Sequence, residues 1–455
     1  MKEINTRRRN FIKASSAGAA AFSILPSGML FGQNKPSEQF RFAQIGCGGK
    51  GNADSKYTME AGGKMVAMCD VDTERSKKVL KENPKVPLYD DYRVLLDKHD
   101  KDIDGVVIST PDHLHGVMAL EAIIRGKHVY CQKPLARTYE ECKVLLEAAR
   151  KYKVVTQMGN QGHSGSGLKL WEKMQADNAF GDIREVHAWS DRPIWPQGMA
   201  ALPKAEKVPE NLKWDKWLGP HTSRDYSSAY LPFKWRGWAD YGTGAIGDMA
   251  IHNVDPAFWI FKLGLPNKVT AQASSPVQVA YPEWSIIDFY FDKSPVTGKA
   301  IKISWYDGKK LPKLPEGCNP NLTPGGNGCM VVGSKMTALG GMQAARPLPI
   351  SITGKEYSKE VKDLEKYWRE ESKKLKDESH YAQWVDAAKK GDIDGPGSKF
   401  DYSAPFTQSL LLGAIALRYP GQELIWDNDK EQFSNNSEAN QWLNFKPREG
   451  YSLSI

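Results

Sequence analysis

Three glycines, Gly46, Gly48 and Gly51, stand between an apolar run over residues 40–45 and a helical stretch near 52–61. A G-x-G-x-x-G spacing matters only in that setting, where a buried strand turns sharply into a helix. The first glycine permits the tight turn, and the second lets the backbone approach a pyrophosphate. The third lets helix and strand pack closely, and the helix N-terminus offers free N–H groups to the phosphates. The whole segment 46–51, including Gly49 and Lys50, is therefore a candidate dinucleotide phosphate loop. Asp70, 24 positions after Gly46 at the end of the next apolar run, supplies the acid expected to bind the adenosine ribose hydroxyls. It favours NAD over NADP, although Arg75, Lys77 and Lys78 follow closely.

The pattern from residue 40 onward supports that setting. Val/Ile/Met-rich runs at 40–45, 65–69, 104–109, 127–131 and 153–158 alternate with helical stretches near 52–61, 73–83, 114–125 and 138–150. Thr138-x-x-Glu141 forms a capping box for the last of these. Strands alternating with helices predict a doubly wound parallel sheet. Beyond residue 160, strand-like runs at 183–190, 268–275, 285–292, 299–305 and 329–333 arrive without matching helices, which predicts a large open, mostly antiparallel sheet. A charged helical stretch at 358–390 and an apolar one at 406–418 follow. The fold class is α/β, with a Rossmann domain at 36–158 and an α+β substrate and oligomerisation domain at 159–455. At 455 residues the chain exceeds one ordinary core, consistent with two domains.

Residues 1–35 read as an address. Arg8-Arg9-x-Phe11-Ile12-Lys13 resembles a twin-arginine export signal, followed by an Ala/Ser/Gly-rich run too short and too interrupted for a membrane span. That predicts a periplasmic protein whose cofactor is loaded in the cytoplasm. A net charge of +8 from scattered basic residues gives no nucleic-acid patch. Cys47, Cys69 and Cys131 read as small buried apolar residues and Cys142 lies on a helix; Cys318 and Cys329 are near enough in sequence to pair, though nothing forces it. No Cys/His spacing suggests a metal. Eight of the 14 Trp fall between 171 and 259. Most suit packing, while a few could stack on a sugar face; Trp195 and Tyr241 are candidate substrate contacts.

Two further stretches narrow the reading. The first runs Val107-Ile108-Ser109-Thr110-Pro111-Asp112-His113-Leu114-His115, and after it come Gly126-Lys127-His128-Val129-Tyr130-Cys131-Gln132-Lys133-Pro134. The second is Gly242-Thr243-Gly244-Ala245-Ile246-Gly247-Asp248-Met249-Ala250-Ile251-His252. Together they resemble the glucose–fructose oxidoreductase / inositol dehydrogenase (Gfo/Idh/MocA) family. The resemblance implies that Lys133 lies beside a nicotinamide and that Asp248 and His252 complete the site. It adds Thr110, Pro111, His115, Gln132 and Asn160 as cofactor contacts, Gln161 and His163 on the substrate side, and a homodimer or homotetramer. Gln132 departs from the family's glutamate, removing a negative charge beside Lys133.

Independently of the family, an i, i+4 spacing puts Asp248 and His252 on one face of a helical turn. A histidine there can take a proton from a sugar hydroxyl. A lysine can polarise the developing carbonyl oxygen. The resulting expectation is an NAD-dependent oxidoreductase acting on a secondary hydroxyl of a sugar, glycoside or cyclitol. The alternatives are a glycoside hydrolase working through transient C3 oxidation, against which Lys133 argues, and a non-catalytic sugar-binding or sensor protein.

Overall fold

A computed structural model of the chain describes residues 39–455. The twin-arginine segment lies outside the described residues. Six strands form the first sheet: β1 (Arg41–Ile45), β2 (Lys64–Cys69), β3 (Leu88–Tyr89), β4 (Gly105–Ile108), β5 (His128–Cys131) and β6 (Thr156–Met158). Their order is β3-β2-β1-β4-β5-β6, and every pairing is parallel. The order in which successive strands are added reverses between β1 and β4, so the crevice at their C-terminal ends is the expected ligand position. Helices α1 (Lys50–Glu60), α2 (Thr73–Glu82), α3 (Tyr92–His99), α4 (Asp112–Ile124) and α5 (Tyr139–Tyr152) make the crossovers. The capping box of α5 forms as expected: the Glu141 N–H donates to Thr138 Oγ1 at 3.3 Å, and the Thr138 N–H donates to Glu141 Oε2 at 2.8 Å.

Nine strands form the second sheet, in the order β13-β12-β11-β7-β10-β9-β8-β14-β15. They are β7 (Ile183–Ser190), β8 (Lys268–Ala273), β9 (Ser285–Phe291), β10 (Ile301–Tyr306), β11 (Asn327–Gly333), β12 (Met336–Gly340), β13 (Leu348–Ile352), β14 (Glu423–Asp427) and β15 (Gln432–Phe433). All its pairings are antiparallel except β7 with β10. Strand β9 alternates buried and half-buried residues along its length, the period-2 pattern of a sheet with one face in the core.

Five strands, β3 and β12 to β15, and the helix α3 have no counterpart in the sequence reading. The charged stretch at 358–390 is two helices, α6 (Lys359–Lys373) and α7 (His380–Lys390), rather than one. Ser379 caps the second by accepting the Ala382 N–H at 3.2 Å. Helix α7 packs on the first sheet, where Tyr381, Trp384 and Val385 join Phe40, Phe42, Val107 and Tyr130 in one cluster. The following helix, α8 (Phe400–Ala416), is buried along most of its length and lies against α5 and β8. A helix apolar all round must be enclosed on every side, and α8 accordingly ties the two sheets into one continuous core. Among the described residues no helix is long and apolar enough to cross a membrane. Cys318 and Cys329, whose pairing the sequence left open, are both free thiols.

Candidate active site

Gly46 closes β1 with φ of +81°, and a Cβ there would lie 2.5 Å from the Ser109 carbonyl oxygen after β4. Only glycine lets the two strand ends approach so closely. A Cβ on Gly51 would overlap the Gly46 carbonyl oxygen. Gly51→Ala is therefore expected to weaken NAD binding at least tenfold and destabilise the fold by about 1–3 kcal/mol, as read by calorimetric titration and thermal unfolding. Gly49 caps α1 without any side-chain hydrogen bond, so the first helical N–H groups face the loop mouth. A side chain at Gly48 would meet Arg75 Nε at 2.9 Å, which places that guanidinium against the loop. At the end of β2, the Asp70 carboxylate accepts the Cys47 N–H at 2.8 Å and the Asp72 N–H at 3.0 Å. A dinucleotide fits this cradle: the close approach is kept open by missing Cβ atoms, and an acid stands where a ribose would lie.

Strand β5 delivers Gln132 and Lys133 to the same crevice. Lys133 Nζ donates to Asp248 Oδ1 at 2.6 Å and to the Asp248 carbonyl oxygen at 2.8 Å. Arg236 Nε donates to the same Oδ1 at 3.0 Å. Burial alone would raise the Asp248 carboxyl, but the charges of Lys133 and Arg236 hold it well below the ordinary carboxylate value. Asp248 sits on a π-helical turn, Ile246–Ala250, which runs into a short α-turn, Ile251–Asn253, carrying His252. Such single π-turns occur frequently at functional sites. His252 is 5% exposed, and its Nδ1 has no hydrogen-bond partner among the described residues. Burial and the Lys133 charge push its pKa down to about 3, so the imidazole is neutral at neutral pH. A neutral imidazole beside a lysine ammonium is a proton acceptor and a proton donor set side by side.

Beneath the loop lies a carboxylate that the sequence reading missed. Asp54 on α1 is fully buried. It accepts hydrogen bonds from Gln132 Nε2 at 3.1 and 3.0 Å, from the Tyr381 hydroxyl at 2.6 Å and from Ser109 Oγ at 2.7 Å. Lys50 Nζ pairs with it at 3.0 Å. The negative charge absent at Gln132 is thus supplied from α1, with Gln132 as its hydrogen-bonded neighbour.

Residues 40–160 match the Gfo/Idh/MocA oxidoreductase family's NAD-binding Rossmann fold, and residues 183–299 match its C-terminal alpha/beta domain. The chain belongs to the Gfo/Idh/MocA family. A levoglucosan dehydrogenase from Pseudarthrobacter phenanthrenivorans is 30% identical over 171 residues, 37% of this chain and 35% of that protein. An alpha-N-acetylgalactosaminidase from Shewanella oneidensis is 29% identical over 208 residues, 39% of this chain and 44% of that protein. The aligned stretches thus span less than half the length of these curated relatives. The WlbA dehydrogenase structure from Bordetella pertussis, in complex with NADH and UDP-GlcNAcA, shares the fold at a TM-score of 0.56 and 17% identity, covering 86% of this chain and 99% of that one.

In this Gfo/Idh/MocA chain several expected contacts are placed differently. His115 is fully buried, and its ring nitrogens face the carbonyl oxygens of Pro134 at 2.8 Å and Thr110 at 2.9 Å. Its side chain therefore braces Thr110 and the segment after Lys133. Tyr241, expected at the substrate, is 1% exposed in an aromatic cluster with Trp217, Tyr230 and His113. The packing reading of the Trp-rich segment extends to Trp214, Trp217, Trp235 and Trp238, which share that cluster. Trp195 is also buried, but its ring lies 5.8 Å from the Arg236 guanidinium. Asn160 is fully buried, with Nδ2 on Asp255 at 3.2 Å, so it orders the network behind the cleft. His163 Nδ1 also pairs with Asp255, at 3.0 Å. Gln161 Nε2 donates to the Tyr130 and Tyr381 hydroxyls at 2.8 and 3.3 Å, joining it to the Asp54 network.

Proposed function

We propose that this chain is an exported NAD-dependent oxidoreductase acting on a secondary hydroxyl of a sugar, glycoside or cyclitol. The observation that carries the reading is the half-buried Lys133–Asp248 ion pair with His252 in electrostatic reach of both. When bound, NAD would supply the acceptor for the hydride leaving the substrate carbon. The segment 46–51 would hold its pyrophosphate, Asp70 its adenosine ribose, and Gln132 with Asp54 the region next to Lys133. A 2′-phosphate would meet the Asp70 carboxylate, so NAD is favoured over NADP despite Arg75. His252, neutral at working pH, takes the hydroxyl proton. Lys133 donates a hydrogen bond to the oxygen as it becomes a carbonyl, and Asp248 with Arg236 fixes where that donor points.

Export would place the enzyme where free NAD is scarce, so the cofactor is expected to be tightly held and recycled. The homodimer or homotetramer belongs to the same reading. Mass spectrometry of nucleotide released from natively purified protein should find NAD. A screen of sugars, glycosides and cyclitols should then yield NADH. Protein with no bound nucleotide and no affinity for NAD or NADH sinks the proposal. The similarity to an N-acetylgalactosaminidase keeps a second reading, a redox-neutral glycosidase. Aglycone release from aryl glycosides without net NADH would favour it over the first.

A further inference from the structure

A cavity of about 220 Å³ opens away from the active site, and neither the segment 46–51 nor Lys133, Asp248 or His252 lines it. Its walls come from the start of α5, the end of α8, residues 239–240 and the C-terminal segment 441–446. Three cations, Arg137, Arg418 and Lys446, stand on those walls beside a single acid, Asp240. The Arg418 guanidinium lies 3.5 Å from the centroid of the Trp442 ring, and its only described hydrogen bond runs to the Val277 carbonyl oxygen at 3.4 Å. Among the described residues no carboxylate pairs with it. Burial and the nearby Arg137 charge disfavour its protonated form, against the pull of Tyr281 and Asp240.

Arg137 donates through Nη1 to the Ala239 carbonyl oxygen at 3.3 Å and lies 4.9 Å from the Phe445 ring centroid. Its Nε is buried with no partner. His221, stacked on the other aromatic contact of that ring at 5.0 Å, also carries a buried Nε2 with no partner. Lys446 stands exposed at the rim. The acid on the wall, Asp240, is already paired with Arg224 at 2.6 Å. The nearby Glu141 turns its Oε2 to Thr138.

Two half-buried guanidiniums on one cavity, with a lysine at its mouth and neither held in an ion pair by a carboxylate among the described residues, form a recurring solution for planar or tetrahedral oxyanions. We infer that this cavity binds the oxyanion head of a small ligand: a phosphate, a sulfate or a short carboxylic acid. Its volume is below the roughly 300–1,000 Å³ usual for drug-sized ligands, so the ligand is a charged head on a short skeleton. Arg418 and Arg137 form the fork that grips the head, and Lys446 draws it in.

The test uses the full chain saturated with NAD, so that the phosphate loop is occupied and cannot answer for the cavity. Sodium phosphate, sulfate and citrate are each titrated by calorimetry and thermal shift against sodium chloride at matched ionic strength; the arm that responds identifies the head group. One of the three should bind one to one and raise Tm. Arg418→Gln should weaken it at least tenfold, and Lys446→Glu several-fold. Because Arg418 stacks in the fold, Lys446→Glu at the exposed rim decides the matter if the first variant does not fold. Equal Tm in oxyanion and chloride overturns the inference, as does an affinity that Lys446→Glu leaves unchanged.

Discussion

Lys133→Met is expected to lower kcat by about 10²–10³-fold while NAD binding stays within a few-fold of the parent chain. The magnitude is that of losing one preorganised donor aimed at developing oxyanion charge. Lys133 is held at 2.6 Å from Asp248 by β5 on one side and the π-turn on the other, so no other ammonium can take its place. Methionine keeps the apolar length of the side chain and removes the charge. Asp248 then retains only Arg236 at 3.0 Å, which costs up to about 3 kcal/mol for a half-broken buried pair. The loss should appear in kcat/KM together with kcat, because the donor acts as charge develops and not on the ground state. Single-turnover kinetics with calorimetric titration of NAD separates the two effects. Full turnover in the methionine variant would remove Lys133 from the chemistry, whereas a lost cofactor affinity would make it a cofactor ligand instead.

The parts of this site that the sequence showed are those built from neighbours in the chain. The 46–51 segment, Asp70 and the capping box at Thr138 each depend on spacing within one strand–turn–helix unit, and each lies where its spacing implies. The parts it hid depend on distant segments. Lys50 and Asp54 look like an i, i+4 surface pair, yet Asp54 is fully buried because Tyr381, 327 positions away, arrives on α7 to bond it. The one available signal was Gln132, where a missing family charge called for a replacement nearby. Arg236 stands in no motif, and its contact with Asp248 appears only once the π-turn is formed. The burial of Tyr241 was hidden for the complementary reason: its cluster joins residues 212–241 to Ala280 and His113, so that burial is a property of the folded chain and not of its spacing. The strands β12 to β15 are two to five residues long, too short for a period-2 pattern to stand out.

The largest stability effect should come from acid. Burial drives the pKa of His252 and His380 down to about 3 and that of His128 to about 4. Geometry requires the neutral form in two of them: His128 Nδ1 accepts the Val155 N–H at 2.9 Å, and His380 faces Ser164 Oγ and Gln157 Nε2 with Nδ1 while its Nε2 faces the Met158 carbonyl oxygen. In the unfolded chain each imidazole titrates near the ordinary value of about 6.5. Between the folded and unfolded values the unfolded chain therefore binds more protons, so stability rises with pH across that window. It is complete above about pH 6.5 and is lost progressively as the pH falls toward 4. At pH 5 each histidine accounts for about 2 kcal/mol, and the three together for roughly 6 kcal/mol, set against a typical total of roughly 5–15 kcal/mol. Thermal unfolding should show Tm roughly 7 °C lower at pH 5 than at pH 7.5, and His128→Gln should flatten part of that slope. A Tm constant over this range would mean that the buried imidazoles titrate in the fold as they do in the unfolded chain.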